Sequence, residues 1–254
     1  LRPSLVTVMK NLAVCWKIRP DLGSTHLPER TLEQASSENL PSDADNQQGS
    51  PLTAGTSTSF HDPSETTRQR LCVMSLREYQ AYLQGALHDG TRSILHHTHR
   101  ISQKGTSWLQ RLSFMLAEMG YRSWIYQEGQ TREVFVLETS APFLDVFYDP
   151  NQLETDAERI AYVRGYFDAE GGIPFAPHVR FYIQFTQKNE VELGKVKAIL
   201  ESLDVMCGKL HNPSYRVDPA YWRFYVRARS YQDFARVIGS WHPRKEMVLQ
   251  RMMI

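Results

Sequence analysis

Two stretches of this 254-residue chain close an apolar run with an acid followed by glycine. Residues 162–172 read Tyr-Val-Arg-Gly-Tyr-Phe-Asp-Ala-Glu-Gly-Gly, and a weaker copy starting at Tyr82 reads Tyr-Leu-Gln-Gly-Ala-Leu-His-Asp-Gly-Thr. Each has the pattern of a helix with an internal glycine, Gly165 or Gly85, ending in Glu170-Gly171 or Asp89-Gly90. A repeated pattern implies two copies of one structural unit. Glycine inside a helix costs about 1 kcal/mol relative to alanine, and close approach of two backbones would offset that cost. Two such helices, packed glycine against glycine, would bring two carboxylates to one point. That is a way to build a divalent-metal site on a twofold axis.

The elements that must hold these acids also occur twice. Ser75-Leu-Arg-Glu78 and Thr155-Asp-Ala-Glu158 are capping boxes that open the two helices. Caps and glycines align with an offset of 80 (155 − 75 and 165 − 85), whereas the acids align with an offset of 81 (170 − 89). One residue is therefore missing from the first copy. A helix end absorbs a missing residue by tightening, which keeps Asp89 at the centre. In strict register Gly90 would instead face Glu170, and the first site would be degraded.

After each motif a strand ends in Gln103-Lys104 or Gln187-Lys188. Helical periodicity follows over 108–119 and 191–203. Strands are expected at 123–127 and 133–139 in the first copy and at 208–211 and 221–228 in the second, with short helices at 142–147 and 231–238. A last helix, over 244–253, has no counterpart. The unit is α-β-β-α-β-β-α, an α+β layer with helices on one face of an antiparallel sheet. The repeats span 71–150 and 151–254. Residues 33–66 are rich in small and polar types, and the segment 1–70 is expected to be low-complexity and disordered.

Strand alternation carries a second signal. Over 221–229 it places Tyr221, Arg223, Tyr225, Arg227 and Arg229 on one face, opposite Trp222, Phe224, Val226 and Ala228. Over 180–188 it places Arg180, Tyr182, Gln184, Thr186 and Lys188 opposite Phe181, Ile183 and Phe185. The apolar face must cover helices. The other is cationic, aromatic and nearly free of acids, which suits phosphate and base-edge contact in a groove of double-stranded DNA. Arg92, His96, Arg100 and Lys104 are the candidate contacts of the first copy. His96, His97 and His99 have no ligand set for zinc and are expected to make surface polar contacts. Asp168, two residues before Glu170, reads as structural.

The net charge is only +1, so a nucleic-acid surface must come from local placement of Lys and Arg. Cys15, Cys72 and Cys207 lack zinc spacing and read as free thiols in a reducing compartment. No apolar run is long enough to cross a membrane, and the mildly apolar stretch 5–16 lacks a cleavage site. The expected location is cytoplasmic, with the nucleoid, or an organellar matrix. A chain starting at Leu1 is expected of a fragment or an unusual start codon. An embedding intein is not expected, without a starting nucleophile or a His-Asn end.

At these residues the chain resembles the LAGLIDADG homing endonucleases in their single-chain, two-repeat form. The stretch from Val163 to Gly171 is close to the family signature, and the Phe-Thr-Gln187-Lys188 strand end and the closing Pro243-Arg244-Lys245 helix also resemble the family. The resemblance covers about 71–254. It implies a monomer with internal pseudo-twofold symmetry and two four-stranded sheets forming a saddle over DNA. It also implies Mg2+ or Mn2+ held by Asp89, Glu170 and the adjoining Gly90 and Gly171. Gln103, Gln187 and Lys245 would order water or balance charge. The implied activity is site-specific hydrolysis of DNA. The alternatives are an intron RNA maturase, or a relative that nicks or only binds DNA.

Overall fold

The computed structural model describes residues 74–129, 132–176 and 178–253. The segment 1–70, with Cys15, and Cys72 lie outside the described residues, as does the side chain of Asp89. Helix α1 (Leu76–Ala86) opens on Ser75, whose hydroxyl accepts from the Glu78 amide while Glu78 reaches back to the Ser75 amide. Helix α3 (Asp156–Glu170) opens on Thr155 and Glu158 in the same way. Each box satisfies donors that a first helical turn leaves open.

Between these helices lie β1 (Gly90–Ser93), β2 (Thr98–Lys104), α2 (Ser107–Glu118), β3 (Ser123–Gln127) and β4 (Val134–Thr139). After α3 come β5 (Gly171–Gly172), β6 (Gln184–Gln187), α4 (Glu190–Ser202), β7 (Trp222–Tyr225), α5 (Tyr231–Val237) and α6 (Pro243–Arg251). Two open antiparallel sheets result, ordered β1-β2-β4-β3 and β5-β6-β7. Helix α3 buries Tyr162, Val163, Tyr166, Phe167 and Asp168, as a helix at the centre of a core must. Phe185 and Phe224 stack at 5.0 Å on the helix side of the second sheet, and Phe167 and Phe234 meet edge to face beside them. Helix α2 buries Trp108, Leu109, Leu112, Met115 and Leu116 and packs on β3 and β4. None of the described helices is long and apolar enough to cross a membrane.

Three expected elements differ. Residues 142–147 form turns rather than a helix. There the Asp145 amide donates to Gln84 Oε1 at 3.0 Å, and the Phe147 amide donates to Asp145 Oδ1 at 2.9 Å. Side-chain acceptors thus replace the helical ladder. The expected strand at 208–211 is reduced to two bridges, Cys207 to Val226 and His211 to Arg223. Just beyond it, Asn212 turns the chain by donating to the carbonyls of Asp218 and Pro219. The second sheet therefore has three strands, not four. The strand expected over 221–228 stops at Tyr225, and beyond it the exposed Arg227 bonds to the 206–207 segment. Its amide donates to the Met206 carbonyl at 2.8 Å and its guanidinium to the Cys207 carbonyl at 3.0 Å.

Candidate metal centre and nucleic-acid interface

The two motif helices touch backbone to backbone at their glycines. A Cβ on Gly85 would lie 2.0 Å from the Tyr162 carbonyl oxygen, and one on Gly165 would lie 2.0 Å from the Tyr82 carbonyl oxygen. Only glycine permits this approach. The missing residue of the first motif is absorbed beyond that contact. Helix α1 ends at Ala86 and continues as a 3-10 turn, Leu87–Asp89, that packs on α3. Helix α3 stays α-helical through Glu170. Three 3-10 residues rise about as far as four α-helical ones, so Gly85 to Asp89 and Gly165 to Glu170 both advance about 7.5 Å. The two acid-bearing ends thus stand at equal height above the crossing, despite the unequal count.

At the second end, α3 delivers Glu170, half-buried, at its last residue. The Asp168 carboxylate is fully enclosed beneath it. It accepts from Tyr82 OH at 2.6 Å, from the Trp241 amide at 2.8 Å, from the His242 amide at 3.2 Å and from Ser240 Oγ. Burial pushes this carboxyl above its ordinary range, while Lys245 and the hydrogen bonds pull it back. Asp168 is structural, as its spacing implies: it ties the 240–242 connection to the helix crossing. Lys245 is buried, and its ammonium donates to the carbonyls of Phe167 and Asp168 at 2.6 and 2.9 Å. A cation satisfying the last-turn carbonyls of a helix favours that helix end. At the first end, His88 shares a 2.8 Å hydrogen bond with Tyr162 OH and rests 4.5 Å from the Tyr166 ring. Burial holds His88 down to about 4 and raises the Tyr162 hydroxyl, so the pair is neutral near pH 7. The roles of Tyr82, Tyr162 and His88 are not evident from the motif. The signal available was that Tyr82 and Tyr162 share the same offset of 80 as the glycines.

His242 supplies a pH dependence. Burial, then Lys245 and its neighbours, push its imidazole down to about 4. Between pH 6.5 and 4 the unfolded chain binds a proton at this position that the folded chain does not. Stability present above pH 6.5 is therefore lost as pH falls, by about 3 kcal/mol at pH 4. Urea titrations at pH 7.5 and 4.5 should show this loss in the native chain and a smaller one in His242→Asn.

Carboxylate oxygens at the two motif ends are the donor type a hard divalent ion takes. Both acids are followed by bare backbone: a Cβ on Gly171 would lie 2.4 Å from the Phe167 carbonyl oxygen, and one on Gly90 would lie 2.7 Å from that of Leu87. Mg2+ takes one or two carboxylates and fills its shell with phosphate and water, so the two motif acids would be enough to hold it. Gln103 and Gln187 lie at the ends of β2 and β6. Register puts Gln103 on the helix side with Ile101 and His99, and Gln187 Oε1 accepts from the Lys188 amide at 2.7 Å.

The second sheet keeps the outward face expected of it, over a shorter span. Gln184 pairs with Tyr225, and Thr186 pairs with Arg223. The Arg223 guanidinium lies 5.3 Å over the Tyr225 ring and 3.4 Å from His211 Nε2. Tyr221 OH accepts from Gln184, and Tyr182 meets Tyr225 edge to face. No carboxylate within salt-bridge distance of Arg223 is found among the described residues. Arg227 and Arg229 lie beyond the ladder rather than on the strand. Arg227, exposed, donates from its guanidinium to the Cys207 carbonyl, and Arg229 sits in the 3-10 turn Ala228–Ser230 against the Met206 sulfur. Arg180 and Tyr182 precede β6 and Lys188 follows it, so neither end of the expected strand is in the ladder.

The first sheet differs more. Arg100 faces outward but is held at 3.2 Å from Glu128 and 3.9 Å from Glu138. Glu138 also accepts from Thr98 and Tyr126. This face is charge-balanced rather than cationic. Arg92 pairs with His99, so register puts it on the helix-side face instead, exposed at the margin. His99 is buried, not a surface contact, and burial followed by Arg92 lowers its imidazole pKa. His96 and Lys104 are exposed.

Comparison with known proteins fits this geometry. The family model of the LAGLIDADG-like domain matches residues 157–239. The fold is similar to the crystal structure of I-DmoI in complex with DNA and Ca, with a TM-score of 0.53 and 19% identity over 70% of this chain and 100% of that one. Mesophilic variants of the homing endonuclease I-DmoI give 0.52 and 19% over the same shares. The N-terminal LAGLIDADG domain of DUF199/WhiA gives 0.52 and 15% over 65% of this chain and 83% of that one. At these identities the likeness is one of fold. None of the curated proteins compared matches the chain.

Proposed function

We propose that the chain is a member of the LAGLIDADG family, whose domain model matches residues 157–239, and a site-specific endonuclease that hydrolyses double-stranded DNA with Mg2+ or Mn2+. One observation carries this reading: two motif helices, crossed at bare glycines, raise Asp89-Gly90 and Glu170-Gly171 to equal height where the two sheets begin. A similar fold has been crystallised with DNA and Ca.

In this mechanism Glu170 and Asp89 would hold the divalent ions. A bound ion lowers the pKa of water and stabilises charge on the leaving oxygen. The chain's own groups do the rest. Gln103 and Gln187, at the strand ends, orient water. Lys245 fixes the last-turn carbonyls of α3 and so the direction of Glu170, in place of direct charge balance at the phosphate. The second sheet holds one half-site through Arg223, Tyr225, Gln184 and Thr186. The first reads the other half-site through Arg100, which Glu128 and Glu138 orient. Two different faces suit a non-palindromic site bound by a monomer. Cys207, buried and with its thiol pushed up to about 12, takes no part, and a reducing compartment that holds DNA suits the chain.

The test is selection of cut sites from a randomised pool of supercoiled plasmids in Mg2+. The reading expects linear product, and retention of DNA without any scission refutes it. The interface has its own expectation. Arg223→Ala should weaken DNA binding by about 1–3 kcal/mol and lower the salt slope by about 1. Arg227→Ala should leave affinity nearly unchanged and reduce stability, since its guanidinium holds the Cys207 carbonyl. Filter binding at two salt concentrations, with thermal melts, separates the two.

A further inference from the structure

Two hydrogen bonds cross between the motif helices in matched positions. Tyr82, three residues before Gly85, donates to Asp168, three residues after Gly165, at 2.6 Å. Tyr162, three residues before Gly165, bonds His88, three residues after Gly85, at 2.8 Å. Both tyrosines are buried, and the offset of 80 relates every member of one bond to its counterpart in the other. Asp168 lies two residues before Glu170, and His88 lies one before Asp89. We propose that Tyr82 and Tyr162 are positioning residues, each fixing the acid-bearing end of the opposite motif helix, so that the two ends are set independently and by different partners.

The partners are unequal. Tyr82 is itself oriented by the Trp108 indole N–H at 2.8 Å. Asp168 is tied further to Ser240 and to the amides of Trp241 and His242. The carbonyls of Phe167 and Asp168 are held by Lys245. Among the described residues the His88 side chain makes its one hydrogen bond to Tyr162. The second end keeps most of its ties when the Tyr82 bond is lost. The first end, a 3-10 turn with fewer ties, depends on Tyr162. Loss of the Tyr162 hydroxyl should therefore loosen Asp89 more than loss of the Tyr82 hydroxyl loosens Glu170. The consequence for cutting rests on the nuclease reading above: each end serves one DNA strand, so each tyrosine governs one strand.

Phenylalanine keeps the ring and removes only the hydroxyl. Amide hydrogen exchange on the full chain is the first measurement, and it needs no DNA. Tyr162→Phe should raise exchange about tenfold at residues 88–91 and less than about twofold at 170–172. Tyr82→Phe should give the reverse, more weakly. His88→Phe, which removes the same bond from its other end, should reproduce the Tyr162→Phe pattern. Equal changes at both ends, or none at either, overturn the proposal. The second measurement is strand-resolved cutting in Mg2+. Tyr162→Phe should slow one strand on the order of tenfold or more and accumulate nicked DNA, and Tyr82→Phe should slow the other strand less. Slowing of the same strand by both variants, or of both strands equally, overturns it. A native chain that cuts neither strand refutes the nuclease reading, and the exchange pattern then decides the positioning role alone.

Discussion

Gly165→Ala is expected to lower the thermal unfolding midpoint by about 10 °C, a loss of about 4 kcal/mol for a folded unit of this size. The added Cβ would lie 2.0 Å from the Tyr82 carbonyl oxygen and 2.9 Å from the Ala86 amide. Both obstacles are helical backbone, which has no alternative rotamer. The helices must move apart, and the packing of Tyr82, Tyr162 and Tyr166 around the crossing goes with them. Alanine's higher helix propensity returns only about 1 kcal/mol. Gly194→Ala is the matched control, because a Cβ at that helical position in α4 meets nothing within 4 Å. That variant should be stabilised by about 1 kcal/mol. Gly85→Ala should behave as Gly165→Ala does, and the double variant should lose less than the sum, since one separation of the helices relieves both clashes. Scanning calorimetry of the native chain and the four variants checks the whole set. Equal tolerance at positions 165 and 194 would remove the bare-backbone crossing from the account.

Glu170→Gln is expected to reduce the cutting rate by at least about a thousandfold. DNA affinity should change by less than about threefold. The substitution keeps the size of the side chain at the end of α3 and removes its negative charge. An amide is a poor ligand for Mg2+ where one or two carboxylates make the site. The surface proposed to hold DNA is the sheet face carrying Arg223 and Tyr225, on other elements, so binding should survive. Single-turnover cleavage and filter binding on the same preparation separate the two quantities. A parallel loss of binding and cutting would place Glu170 in the DNA-holding surface rather than the chemistry.

The helix crossing was the most legible part of the sequence because its signals are local and doubled. A capping box ten residues before a glycine sets where each helix starts and where it touches its partner, and both boxes form. The offset of 81 between the acids also reads correctly as a tightened end, since the turn Leu87–Asp89 lengthens the rise per residue. Strand ends are less legible. Alternation runs on through Arg227 and Arg229, yet the ladder stops at Tyr225, because Arg227 finds carbonyls at Met206 and Cys207. Such partners lie twenty residues away, and no two-residue period encodes them. The first sheet hides its character for a similar reason. Glu128, Glu138, Thr98 and Arg100 come from three separate segments and meet only when β2, β3 and β4 pair. Lys245 is legible as a basic residue near the centre. Its burial on the carbonyls of α3 follows from the path of the connection that Asp168 anchors.

That unequal sheet pair bears on how a site would be recognised. The second face presents an arginine supported by aromatic rings without a neighbouring acid, an arrangement suited to phosphate as well as base edges. The first presents Arg100 fixed by two carboxylates and 5.9 Å from the Tyr126 ring. A guanidinium held in one orientation suits base reading more than charge attraction.

The position of the divalent ion tests the central claim most directly. Crystals of the chain with the DNA it selects, grown with Mn2+, locate that ion by anomalous scattering. The account predicts a peak at coordination distance from the Glu170 carboxylate, about 2.0–2.2 Å, at the end of α3 between the protein and a scissile phosphate. Manganese bound only elsewhere, with Glu170 turned from the DNA, would contradict it.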